Sequence, residues 1–141
     1  MKYKKRGDGY RSGFEAQVAA QLKRKGVRFH YELTKYPVLV PVHGHACTKC
    51  TSTAIARRTT YLPDFTLLDA GILLEAKGKF TGRNRSMLVA FRQQHPGLGF
   101  RILFQRDNKL SKISKTRYTD WCKANGIACA VGTSPPKEWL K

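Results

Sequence analysis

Apolar side chains recur along this chain at two spacings, and the switches between them divide it into helices and strands. Phe14, Val18 and Leu22 fall at helical spacing behind Ser12-Gly13-Phe14-Glu15, which has the form of a capping box, and Lys23-Arg24-Lys25-Gly26 closes the stretch. From Val27 to Glu32 the period is two: Val27, Phe29 and Tyr31 share one face and Arg28, His30 and Glu32 the other, as in a half-buried strand. Tyr36-Pro37-Val38-Leu39-Val40-Pro41 is extended, and its prolines suit an edge or a linking arm rather than a sheet centre. A long segment, residues 42–60, separates it from a hairpin that starts near Tyr61, turns at Asp69-Ala70-Gly71 and returns through Ile72 to Lys77. Met87, Leu88 and Phe91 place a helix over Arg85 to His95, stopped by Pro96-Gly97. Phe100 to Phe104 reads as a core strand, Arg117 to Ala124 as a helix ending at Asn125-Gly126, Ile127 to Val131 as a strand, and Glu138-Trp139-Leu140 as a short turn of helix. The order α, β, β, β, β, α, β, α, β predicts an α/β or α+β domain built on a mixed sheet.

A length of 141 residues and 41% apolar content fit one compact domain with a modest core and argue against disorder. There is no internal repeat and no transmembrane run. Lys2 to Arg6 is basic, but Gly7-Asp8-Gly9 follows where a signal peptide would carry its apolar segment, so an intracellular, non-secreted protein is expected. Its four cysteines then read as thiols or metal ligands rather than disulfides, with Cys122 and Cys129 in the core.

Charge changes the picture. Lysine and arginine number 27 against 9 aspartates and glutamates, a formal charge of +18, which is the footprint of a polyanionic partner. Candidate phosphate contacts are Lys4, Lys5, Arg6, Arg11, Arg57, Arg58, Lys79, Arg83, Arg85, Lys112, Lys115 and Arg117, each of which also suits a solvated surface. In a chain that binds phosphates a carboxylate repels the ligand unless a cation lies between them. The 61–77 hairpin sets Pro63-Asp64-Phe65 beside Glu75-Ala76-Lys77, and strand alternation points Glu75 and Lys77 the same way. Hard cations such as Mg²⁺ take one or two protein carboxylates and leave the rest of the shell to water and phosphate. Asp64 and Glu75 fit that role, and Lys77 fits a group that orients the attacking water and offsets developing charge. The bland alternative is an exposed Glu75–Lys77 ion pair with Asp64 in a turn. The scarcity of acids in so basic a chain favours the metal reading.

The segments Arg11-Ser12-Gly13-Phe14-Glu15, Gly26 to Glu32, Tyr61-Leu62-Pro63-Asp64-Phe65, Glu75-Ala76-Lys77-Gly78 and Gln94-His95-Pro96, with Trp121-Cys122 to Gly126-Ile127 and Glu138-Trp139, together resemble phage endonuclease I. That family comprises the Holliday-junction resolvases of short-tailed phages, within the PD-(D/E)xK nuclease superfamily. The resemblance covers nearly the whole chain. It implies a restriction-endonuclease-like mixed sheet flanked by helices, and a homodimer that cuts branched DNA with Mg²⁺ or Mn²⁺, up to two ions per site. It further implies that Asp64, Glu75 and the Ala76 carbonyl bind metal, that Lys77 assists the attacking water, that Glu15 completes a second metal site, and that Glu32 lies nearby. Residues 1–141 would then be one nuclease domain, with 11–35 a swapped helix-strand segment, 36–41 a bridging arm, 42–60 an inserted loop and 61–141 the catalytic core. Composite sites would follow, Glu15 of one chain meeting Asp64, Glu75 and Lys77 of the other. If phage-encoded, the protein would act in the host cytoplasm.

Alternatives stand beside this. Glu15 is also explained by helix capping alone, Glu32 by an ordinary polar strand face, and His95 by its place at a helix end. The stretch between Glu32 and Asp64 exceeds the family pattern by about a dozen residues, a size usual for functional or disordered connections. It holds His43, His45, Cys47 and Cys50, ligand types for Zn²⁺, although their compression into eight residues equally suits a polar loop with reduced thiols. As to function, a sequence-specific restriction or transposase-type end-cleaving nuclease, or a non-cleaving architectural DNA binder, would share much of this pattern. The intact Asp64, Glu75 and Lys77 set argues against the last.

Overall fold

A computed structural model describes residues 6–42 and 55–141. The zinc candidates His43, His45, Cys47 and Cys50, and the basic residues Lys4 and Lys5, lie outside the described residues.

Helix α1, Gly13–Arg24, starts at Ser12, whose hydroxyl accepts the Glu15 N–H at 3.2 Å. It buries Phe14, Val18, Ala19 and Leu22, the stripe its spacing predicts. Five strands form one mixed sheet in the order β1–β4–β5–β6–β7: β1 Phe29–Tyr31, β4 Phe65–Leu67, β5 Ile72–Lys77, β6 Gly99–Phe104 and β7 Ala128–Val131. The pairs β1–β4 and β4–β5 are antiparallel, while β5–β6 and β6–β7 are parallel and joined by crossovers through α2, Gly82–Gln94, and α3, Tyr118–Ala124. Parallel neighbours need such long crossovers, which is why the helices fall where the sequence alternates β and α. Gly71 has φ of +64° in the tight β4–β5 turn, a left-handed conformation that glycine adopts without strain.

Strand alternation sorts the core into two layers. On one face Phe65, Leu67, Leu74, Ala76 and Leu103 meet α1; on the other Leu73, Phe100, Ile102 and Phe104 meet α2 and α3. The mixed α+β architecture agrees with expectation. No described helix is long and apolar enough to cross a membrane.

Three expected boundaries are corrected. The loop expected over 42–60 is shorter, because Ile55–Tyr61 is a strand, β3, paired antiparallel with β2, Tyr36–Val42. Residues 36–41 are therefore one half of an intrachain ribbon rather than a bare arm. Its Val38 and Val40 are buried against the α2 side of the core, while Gln94 at the end of α2 bonds both the N–H and the carbonyl of Leu39, at 2.8 and 2.7 Å. Tyr61 closes β3 instead of opening the hairpin that carries Asp64 and Glu75, so Pro63 and Asp64 lie in the short link between two sheets. Helix α2 starts three residues before Arg85, because Thr81 and Asn84 cap its N-terminus reciprocally. His95 is structural: it caps α2, and its ring lies 2.8 Å from the Pro37 carbonyl. Cys122 and Cys129 are free thiols, buried and half-buried, and burial raises both above the usual thiol value.

Candidate active site

Glu75 and Lys77 stand on the C-terminal half of β5, on the α2 face of the sheet. Alternation turns Leu74 and Ala76 into the other layer, as read from the sequence. The Lys77 ammonium lies 2.7 Å from Glu75 Oε1. Asp64, immediately before β4, accepts the Ala76 N–H at 2.8 Å through Oδ2. The antiparallel β4–β5 pairing thus brings the two acids together across the hairpin, with Asp64 7% and Glu75 2% exposed.

Glu15 approaches from α1. It is 8% exposed, and its carboxylate accepts from the Ser12 hydroxyl at 2.9 Å, from the Tyr31 hydroxyl, and from the Arg11 N–H at 3.4 Å. Capping and site membership are compatible, since the Ser12 hydroxyl both takes the Glu15 N–H and gives its proton to the Glu15 side chain. Glu32 lies one step out. Its carboxylate pairs with Arg11 at 2.5 Å and its N–H donates to the Asp64 carbonyl at 2.9 Å. Its φ of +49° puts a side-chain-bearing residue in the left-handed region, a strain on the order of 1 kcal/mol that clusters at functional sites.

Four of the nine acids of the chain therefore gather here, with Lys77 set among Glu15, Asp64 and Glu75. Burial pushes the Asp64 carboxyl well above the usual carboxylate range. The charges of Glu75 and Glu15 add to that shift, while Lys77 and the Ala76 N–H oppose it. For Lys77, burial alone would lower the ammonium, but the charges of Glu75, Asp64 and Glu15 prevail and hold it above the usual lysine value. These four carboxyl groups outnumber the two cations paired with them, Lys77 and Arg11. Asp64 and Glu75 are the residues that could hold a hard divalent cation, whose charge would relieve that imbalance. As the side chains stand, no three His, Cys, Asp or Glu groups among the described residues converge on one ion position.

A cleft of about 350 Å³ opens over these groups, lined by Asp64, Glu75 and Lys77 together with Arg11, Lys35 and Asn84. A second depression shares Lys77 with it and brings in Glu15, Lys79 and Gln105. Of the basic candidates, Arg11 and Lys79 reach these clefts. Arg57, Arg58, Arg83, Lys112 and Lys115 are exposed elsewhere. Arg6 is exposed and pairs with Asp8 at 3.5 Å. Arg85 bonds the Phe80 carbonyl and Arg117 the Asp107 carbonyl, so both have structural work as well. The sequence reading missed Lys35 and Asn84, which carry no local signal. It also gave no role to Tyr31 and Tyr61, which bond Glu15 and Glu75.

The family description phage endonuclease I matches the chain over residues 1–141. The chain belongs to the phage endonuclease I family. It is 38% identical over 133 residues to Endonuclease I of Escherichia phage T7, an alignment spanning 94% of this chain and 78% of that protein. It is 36% identical over 139 residues to Endodeoxyribonuclease 1 of Enterobacteria phage T3, spanning 94% of this chain and 82% of the relative. Membership in the phage endonuclease I family supports a DNA endonuclease, and the acids and lysine at the end of β5 are this family member's candidate machinery.

Proposed function

We propose that this chain is a divalent-metal-dependent DNA endonuclease that resolves four-way junctions and other branched DNA by hydrolysing phosphodiester bonds. One observation carries the reading: two buried carboxylates, Asp64 and Glu75, meet across a hairpin with Lys77 2.7 Å from one of them, at the floor of a cleft rimmed by Arg11 and Lys35. Asp64, Glu75 and the Ala76 carbonyl are the ligands for Mg²⁺ or Mn²⁺, and Glu15 with Asp64 serves a second ion. When bound, such a cation polarises the phosphoryl oxygen and makes water a better nucleophile. Lys77 orients that water and offsets charge as it develops on the phosphate. Arg11 and Lys35 hold the neighbouring backbone in the cleft, while the exposed cations add affinity that does not depend on sequence.

The active assembly we propose is a homodimer in which residues 11–35 are exchanged, so that the Glu15 contact made here within one chain is made between two. The exposed segment from Leu33 to Lys35 is where the chain crosses. Its phage relatives support action in the cytoplasm of an infected host. The test is incubation with Mg²⁺ and matched duplex, nicked and four-way junction DNA. Junction cleavage that is lost in Glu75→Ala is expected; equal cutting of plain duplex, or undiminished cutting by Glu75→Ala, overturns the reading.

A further inference from the structure

Glu75 and Glu15 stand on different elements, yet each accepts a hydrogen bond from a tyrosine hydroxyl. The Tyr61 hydroxyl donates to Glu75 Oε2, on the side of the carboxylate away from Lys77, and the Tyr31 hydroxyl donates to Glu15 Oε2. Each tyrosine ends a strand beside the Asp64 link. Tyr61 is the last residue of β3, three before Asp64, and Tyr31 the last of β1, one before the Glu32 whose N–H binds the Asp64 carbonyl.

Both rings are fixed by packing. Tyr61 lies against Phe91 at 4.7 Å and Phe100 at 6.2 Å between centroids, and Tyr31 against Tyr10 at 4.8 Å and Phe65 at 5.5 Å. Their hydroxyls therefore arrive at set positions.

We infer that Tyr61 and Tyr31 are positioning residues that orient Glu75 and Glu15 for metal binding without adding positive charge to the site. The choice of side chain supports this. A buried carboxylate oxygen without a donor costs on the order of 1–3 kcal/mol, so an apolar residue at position 61 would leave Glu75 Oε2 unsatisfied, and one at position 31 would leave Glu15 Oε2 only the long bond from the Arg11 N–H. A lysine or arginine would satisfy it but would compete with the metal for the same charge. A phenol donates one hydrogen bond and stays neutral. Glu75 Oε2 retains a further lone pair for a cation, and in Glu15, where Oε2 accepts from both Tyr31 and the Arg11 N–H, Oε1 with its single bond from Ser12 retains one, so these bonds orient the ligands and leave each an oxygen for metal.

The inference rests on the metal-site reading, and its test separates the two. Mn²⁺ is titrated calorimetrically into DNA-free wild type, Tyr61→Phe, Tyr31→Phe, Glu75→Ala and Glu15→Ala, and turnover and affinity on a four-way junction are measured for each. Each phenylalanine variant keeps its ring and loses one hydroxyl. Loss of an outer-shell donor lowers metal affinity or activity roughly 10–100-fold, so Tyr61→Phe is expected to weaken the ion that Glu75→Ala abolishes, and Tyr31→Phe the one absent from Glu15→Ala. Turnover should fall with junction affinity unchanged. If Glu75→Ala binds Mn²⁺ as wild type does, the metal-site reading fails. If Glu75→Ala loses the ion while Tyr61→Phe and Tyr31→Phe bind within threefold of wild type, the positioning inference fails alone. Should Tyr61→Phe not fold, Tyr31→Phe, at a less buried position, decides the matter against Glu15→Ala.

Discussion

Around Asp64 the carboxylates of Glu15, Asp64 and Glu75 are buried and each has an identified partner, whereas on the loop between Arg106 and Arg117 the cations stand in water. That loop is ordered by its backbone: Leu110 N–H bonds the Thr116 carbonyl, Tyr118 N–H the Asn108 carbonyl, and Lys109 bridges to Arg117. Its side chains Lys109, Lys112 and Lys115 are exposed. The difference separates two kinds of electrostatics. Charges held in a poorly solvated cleft act strongly on whatever develops charge beside them, and salt screens them little. Exposed cations attract a polyanion from a distance, one phosphate each, and salt screens them readily. Chemistry and affinity should therefore come apart under mutation.

The sharpest break is at the cluster itself. Asp64→Ala, Glu75→Ala and Lys77→Ala should each lower single-turnover cleavage on the order of a thousandfold. Junction binding by gel shift should persist, and tighten where an acid is removed. A variant that cleaves normally would move the site elsewhere.

Next in size is the exchange experiment, which asks whether Glu15 belongs to its own cluster or a partner's. Glu15→Ala and Asp64→Ala chains, each inactive alone, are unfolded, mixed and refolded. With exchanged segments one site of each heterodimer receives both lesions and the other none. Random pairing then restores about a quarter of wild-type sites, seen as single-strand nicks in the junction. Without exchange every site keeps one lesion and nicking stays absent in heterodimers shown to have formed.

For the exposed region, Lys112→Ala combined with Lys115→Ala should weaken junction binding while turnover at saturation is unchanged. The slope of log affinity against log salt should fall by roughly 0.9 for each phosphate that the variant no longer neutralises. An unchanged slope would remove the loop from the DNA surface.

The smallest effect is on stability. The folded Asp64 carboxyl binds its proton more tightly than in the unfolded chain, so its contribution to stability is present below the unfolded value and lost as pH rises through the folded one. In metal-free neutral buffer Asp64→Asn should therefore raise the melting midpoint, by about 3 °C for each kcal/mol relieved. The gain should vanish at acid pH, and in saturating Mg²⁺ it should reverse because the variant loses the ligand. Scanning calorimetry at two pH values, with and without Mg²⁺, checks all three signs.

The readable part of the site was the part fixed by local periodicity. Glu75 and Lys77 share a face because strands repeat every two residues, and Glu15 falls in the first turn of a helix that its own cap announces. Strand β3 was illegible because Ala56-Arg57-Arg58-Thr59-Thr60 shows no apolar alternation; its identity comes from pairing with β2, not from its own side chains. Tyr31 and Tyr61 look like any aromatic strand residue. Each acts through a hydroxyl that reaches an acid 16 or 14 positions away, a contact that only the assembled sheets create. The Thr81–Asn84 cap was missed for a simpler reason: asparagine stands where a capping box usually carries glutamate or glutamine.

The amide of Gln94 on Leu39 has a consequence for how this protein behaves at high concentration. In β2 the main-chain N–H groups of alternate residues point away from β3, and those positions are 37, 39 and 41. Two of them are prolines with no N–H to offer, and the third is already taken by Gln94. A foreign strand approaching that side finds no free donor from Pro37 to Pro41, so it cannot be templated there. The β2 edge of the ribbon, with Leu39 half in water, is thereby closed to strand addition.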